Sequence, residues 1–173
     1  MQERLVVLGA GESGIGAAIL AKKQGFDVFL SDKKSISEEL KEFLNKEAIK
    51  WESGKHTLES MKDARLVIKS PGIPDSISLL DALRKQGSSI LSEIEFASHY
   101  TNATLIGITG TNGKTTTTML TYEILKNAGL NVGLAGNIGT SFARQVAQEQ
   151  FDYYVLEISS FQLDNIHDFA PHI

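Results

Sequence analysis

Residues Gly110-Thr111-Asn112-Gly113-Lys114-Thr115-Thr116 have the types and spacing of a phosphate-gripping loop. Gly110 and Gly113 let the backbone turn so that successive N–H groups converge on one point, and a helix beginning there adds its positive end. Lys114 would then reach the β- and γ-phosphates of a nucleoside triphosphate, and the Thr115 hydroxyl would hold Mg²⁺. ATP with Mg²⁺ is the expected ligand. The general pattern has a glycine five residues before Gly113, where this chain has Ile108, so the loop is a variant in which Gly110 starts the turn. Phosphate loops work with a carboxylate at the end of a neighbouring strand. Glu157, closing the apolar run from Tyr153 to Leu156, is that acid or else a solvated strand-end glutamate.

A second glycine run, Gly9-x-Gly11-x-x-Gly14, follows a short apolar stretch, with Asp32 18 residues beyond Gly14. This is the dinucleotide fingerprint, in which glycines admit a pyrophosphate and the acid meets a ribose hydroxyl. It reads as a nucleotide site, NAD included, or as a structural turn. Ser70-Pro71-Gly72-Ile73-Pro74 is held extended by its prolines and is either a plain loop or a ligand-facing one. Gly136-Asn137-Ile138-Gly139 reads in the same two ways. His56, His99, His167 and His172 lack metal-ligand spacing.

These runs need strands and helices to present them. Short apolar stretches at Leu5 to Leu8, Val28 to Leu30, Leu66 to Ile68 and Ile90 to Leu91 alternate with helical patterns at Ile15 to Lys23 and Ile77 to Gln86. That alternation predicts βαβ units on a parallel sheet. A connecting helix is expected over Glu93 to Tyr100. A new α/β pattern then starts: strand Thr104 to Ile108, a helix with Leu120, Ile124 and Ala128 on its buried face, strand Val132 to Leu134, helix Ser141 to Ala147, strand Tyr153 to Ile158. The fold class is α/β, with expected domains over residues 1–93 and 94–173. Ala170 to Ile173 looks like the start of a further strand, so the second domain is expected to be truncated.

Composition narrows the function. The chain has 173 residues, 42% hydrophobic and 22% charged, as in a packed globular protein. With no cysteine it has neither disulfides nor a thiolate metal site, and a cytoplasmic location is expected. No signal peptide or membrane span is expected, since the first apolar run ends at Gly9. Residues up to Ser92 carry a net charge of +1 and the remainder −5, so neither part has the basic stripe that nucleic-acid binding needs. Lys114 stands nearly alone among the acidic residues of the second part, as a placed ligand contact would.

Together these motifs resemble the Mur ligases, ATP-dependent amide-forming enzymes of bacterial peptidoglycan synthesis. The residues that carry the resemblance are Gly110-Thr-Asn-Gly-Lys-Thr, Gly136-Asn-Ile-Gly and Leu156-Glu-Ile-Ser-Ser-Phe-Gln-Leu163, in the family's order, and it covers essentially the whole chain. Leu8 to Gly14 with Ser70 to Pro74 look most like the branch that adds D-glutamate, and Asn112 argues against the alanine-adding branch. The resemblance implies a Rossmann-like N-terminal domain for the UDP end of a sugar nucleotide, followed by the start of a P-loop-type central domain. It implies that Gly11, Glu12, Ser13, Gly14, Asp32, Lys33, Lys34, Ser70 and Gly72 contact UDP-MurNAc-L-alanine. Asn137, Ser159 and Gln162 would face that substrate between the domains, with Lys114, Glu157 and Asn137 as catalytic residues and Thr115 and Glu157 as metal ligands. ATP, Mg²⁺ and D-glutamate complete the implied reaction, carried out by a monomer. The family's later catalytic residues and C-terminal domain have no counterpart in these 173 residues, so the chain alone is expected to be inactive. A nucleotide-binding module and an NAD-dependent oxidoreductase are the alternatives.

Overall fold

The β-branched and apolar runs form strands wherever a Gly- or Asp-rich stretch interrupts them, and the computed structural model, which describes residues 2–173, pairs all of them in parallel. The first sheet has five strands: β1 (Arg4–Leu8), β2 (Asp27–Asp32), β3 (Lys50–Ser53), β4 (Leu66–Lys69) and β5 (Ser89–Ser92), in the order β3-β2-β1-β4-β5. Its helices are α1 (Glu12–Lys23), α2 (Glu38–Lys46) and α3 (Ser78–Lys85). The order reverses direction between β1 and β4, which opens a crevice beyond their C-terminal ends. The second sheet has three strands, β6 (Thr104–Ile108), β7 (Val132–Gly136) and β8 (Tyr153–Glu157), ordered β6-β8-β7. It carries α5 (Lys114–Asn127) and α6 (Phe142–Gln148), and α4 (Glu93–Ser98) joins the two sheets directly after β5.

One apolar core runs through both sheets. Leu5, Val7, Ile15, Leu20 and Leu30 of the first pack in the same cluster as Phe142, Tyr154 and Leu156 of the second, with Ile94 and Phe96 of α4 between them. Phe142 and Tyr154 meet edge to face at 5.0 Å. A second cluster under α3, including Val6, Leu8, Val67, Leu80 and Leu83, covers the far face of the first sheet.

Three elements depart from the sequence reading. α2 and β3 were not expected: this stretch is largely polar, and only Leu44 of α2 is fully buried. α5 turns the other way round its axis from the expected phase. Leu120 and Ile124 are 60% and 59% exposed and Ala128 is exposed too, while Thr118, Tyr122 and Leu125 face the sheet. Gly113, the N-cap residue before Lys114, has φ +76°, and apolar residues lie on both faces of α5, so periodicity alone does not choose the phase.

Among the described residues no helix is long and apolar enough to cross a membrane. Beyond the second sheet, Gly107 N–H donates to the Ile173 carbonyl at 2.8 Å, and His172 N–H donates to the Leu105 carbonyl at 2.8 Å, so the segment from Ala170 lies alongside β6.

Candidate functional site

The first Gly-rich turn leaves β1 and enters α1 under tight constraint. A Cβ on Gly14 would lie 1.9 Å from the Gly9 carbonyl oxygen, and Gly9 itself has φ +97°. Gly11 differs: a Cβ there would meet nothing, so its lack of a side chain leaves open space over the start of α1. Asp32, at the end of β2, receives the Ala10 N–H at 2.6 Å and the Lys34 N–H at 2.7 Å. Its carboxylate thus holds the turn in shape. A cavity of about 940 Å³ opens in front, lined by Gly11, Ser13, Asp32, Lys33, Lys34, Ser70 and Gly72 among others. Glu12 also lines it, yet its carboxylate is turned to the second sheet's side, receiving the Ser141 N–H at 3.2 Å and lying 3.0 Å from Arg144 Nε.

The cavity includes residues the sequence did not single out. Lys55 and His56 reach it because β3 and the loop after it fold beside β2, and Ile77 and Leu79 reach it from the start of α3. His56 Nδ1 lies 2.7 Å from Ser31 Oγ, and burial lowers its pKa against the opposing pull of Asp32 and Glu52. Only recognition of β3 would have pointed to it. The Ser70 to Pro74 loop is pinned from below by Lys69, 3% exposed, whose Nζ donates to the Ile73 carbonyl at 2.8 Å. Ser70 Oγ is buried at the turn without a hydrogen-bond partner.

The second loop joins β6 to α5. Gly110 to Gly113 are exposed, with Gly110 at φ +146°. Lys114 Nζ donates to the Gly110 carbonyl at 2.6 Å, so the ammonium spans the loop. Thr111, Asn112, Thr115 and Thr116 are exposed around it. Parallel pairing places Ile108, Glu157 and Gly136 side by side at the C-terminal edge of the sheet. Glu157 is 1% exposed; Oε1 accepts from Asn137 Nδ2 at 2.8 Å, and Oε2 is buried with no partner. Asn137 N–H donates to the Glu157 carbonyl at 2.8 Å, so a backbone bond joins the two residues beside the side-chain one. An unpartnered carboxylate oxygen beside a phosphate loop fits Mg²⁺, which takes one or two protein oxygens and completes its shell with water and phosphate.

Ser159 and Gln162 bond to each other: Gln162 is 3% exposed, and its Oε1 accepts from the Ser159 N–H and hydroxyl, both at 3.0 Å, capping a one-turn 3₁₀ helix.

The fold and both loops define an α/β protein with two successive strand, Gly-rich loop, helix units. Residues 4–78 match the model described as MurD N-terminal domain, and residues 108–172 that described as Mur ligase middle domain. The chain belongs to the Mur ligase family. It is 60% identical over 171 residues to the UDP-N-acetylmuramoylalanine–D-glutamate ligase of Bacteroides fragilis, covering 99% of this chain and 38% of that protein. The ligase of the same name from Porphyromonas gingivalis is 54% identical over 98% of this chain and 38% of its own length. The chain therefore spans about two fifths of the curated relatives it matches. Among solved structures, a pseudomurein peptide ligase type C from Methanothermus fervidus aligns over 91% of this chain and 33% of its own, with 31% identity and a TM-score of 0.55. UDP-N-acetylmuramate-alanine ligase MurC from Thermotoga maritima shares the fold, with a TM-score of 0.56 and 22% identity over 89% of this chain and 36% of that one.

Proposed function

We propose that this chain supplies the sugar-nucleotide site and the phosphate loop of a ligase that joins D-glutamate to UDP-MurNAc-L-alanine. Residues 1–93 would hold UDP-MurNAc-L-alanine through Gly11, Ser13, Gly14, Asp32, Lys33, Lys34, Ser70 and Gly72. Residues 94–173 would hold ATP through Gly110 to Thr116. The observation that carries this reading is the buried, unpartnered Glu157 oxygen at the sheet edge beside the phosphate loop, with Asn137 bonded to its other oxygen.

The named substrates of the Bacteroides and Porphyromonas ligases support the choice of acceptor and amino acid. Bound ATP would supply the phosphoryl group that turns the substrate carboxylate into an acyl phosphate open to attack by the amine of D-glutamate. This chain's residues do the positioning. Lys114 would leave the Gly110 carbonyl for the phosphates and offset charge on the moving group, where electrostatics dominates such reactions. Glu157 and the Thr115 hydroxyl would hold Mg²⁺, and Asn137 would keep Glu157 turned toward it.

Calorimetric titration tests the two sites separately. We expect the chain to bind UDP at the first turn and Mg·ATP at the loop, with Lys114→Ala abolishing ATP binding and leaving UDP affinity unchanged. Binding of NADH in place of UDP would overturn the first assignment. In the full-length protein we expect D-glutamate-dependent phosphate release, and equal release with L-glutamate would refute the amino-acid choice.

A further inference from the structure

α6 begins without a cap of its own. Ser141 holds the N-cap position, but its hydroxyl bonds no backbone amide and is buried without a partner. Two carboxylates from other elements take over the role. Glu93 of α4, 2% exposed, accepts the Ala143 N–H, and Glu12 of α1 accepts the Ser141 N–H at 3.2 Å. The first N–H groups of a helix lack intrahelical partners and carry partial positive charge, so carboxylates suit them. α1 approaches closely enough for this because Gly16 has no side chain: a Cβ there would fall 2.0 Å from Ser141 Oγ and 3.0 Å from Arg144 N.

Glu12 stands at a second helix start as well. It is the first residue of α1, directly after Gly11, and lines the cavity in front of the Gly-rich turn. A free carboxylate there would repel an incoming diphosphate. Arg144 of α6 removes that obstacle, since its Nε lies 3.0 Å from Glu12 Oε1. The Nε–H is not aimed along that line and makes no hydrogen bond, so the contact is an ion pair that neutralises charge rather than a directed bond.

We propose that Arg144 is a positioning residue for nucleoside-diphosphate binding at the Gly-rich turn, acting from the second sheet's unit by holding the Glu12 carboxylate against the start of α6. The proposal rests on the reading of that turn as the sugar-nucleotide site. It makes occupancy of the first site depend on the seating of α6. Binding at the turn and the placement of the unit that carries the phosphate loop are thereby coupled.

The test is a double-mutant cycle on this chain, with UDP as the probe and calorimetric affinity as the readout. Arg144→Met is expected to weaken UDP binding by up to about tenfold, toward the upper end of what a partly buried charge at a helix start contributes. Arg144→Lys keeps the positive charge and is expected to stay within about threefold of the parent. In a Glu12→Gln background, Arg144→Met should cost little, because no charge remains to be held away. Circular dichroism melts identify any variant that fails to fold, and Arg144→Gln, which also removes the charge, then takes the place of Arg144→Met in the cycle. UDP binding by Arg144→Met equal to the parent's, or a loss undiminished in the Glu12→Gln background, would overturn the coupling while leaving the turn assignment intact. Failure of the parent chain to bind UDP would instead remove the turn assignment, and the coupling with it.

Discussion

At the scale of single residues, the structure places two carboxylates of α4 in opposite electrostatic situations. Glu95 is buried, which would raise its pKa, but N–H groups of His167, Phe169 and Asp168 and the His99 ring stabilise its charged form and bring it below the ordinary value. Glu93 has one N–H partner, and burial outweighs it, pushing its pKa up to about 7, with the Glu12 charge adding to the rise. The sign follows from linkage. A carboxyl whose folded pKa is raised stabilises the fold fully below its ordinary pKa of 4.5, and that contribution is lost as pH climbs through about 7. The difference corresponds to about 3 kcal/mol. Urea titrations are therefore expected to show stability declining between pH 5 and pH 7.5, roughly the window of the shift, and Glu93→Gln should flatten that decline. An unchanged pH profile in Glu93→Gln would show that the burial of this group is not what titrates.

At the scale of elements, the sequence exposed what has strong local chemistry. Both Gly-rich loops lie between the strand and helix read for them, because positive-φ glycines and a following helix start are written into adjacent residues. β3 was missed because Lys50, Trp51, Glu52 and Ser53 do not alternate, and its place beside β2 is a long-range choice. The phase of α5 is not legible because apolar residues stand on both its faces, Leu120 and Ile124 on one, Tyr122 and Leu125 on the other. The residues of the cavity contributed by Lys55 and His56 followed from neither motif nor period. The α5 result makes a sharp contrast testable by thermal melts. Leu120→Ser and Ile124→Ser, on the exposed face, are expected to change stability by less than about 0.5 kcal/mol. Leu83→Ala, on the buried face of α3, should cost roughly 2–5 kcal/mol. A large loss from Leu120→Ser would mean that α5 packs by the face read from periodicity.

At the scale of the whole molecule, the two sheets share a core rather than a seam. Phe142 and Tyr154 pack in one cluster with Leu20 and Phe96, and Glu95 receives three backbone amides from residues 167–169. Scanning calorimetry should accordingly record one transition with matching calorimetric and van't Hoff enthalpies, the mark of a single cooperative body. Two resolved transitions would mean that the shared cluster does not couple the sheets. The borrowed cap of α6 also fixes an order in time. Glu12 and Glu93 precede Ser141 and Ala143 along the chain, and during synthesis the earlier part of a chain folds first. The acceptors of α6 thus leave the ribosome before the helix they cap. The first sheet is in this sense the mould on which the second is cast, and a helix that carries no cap of its own never has to stand alone.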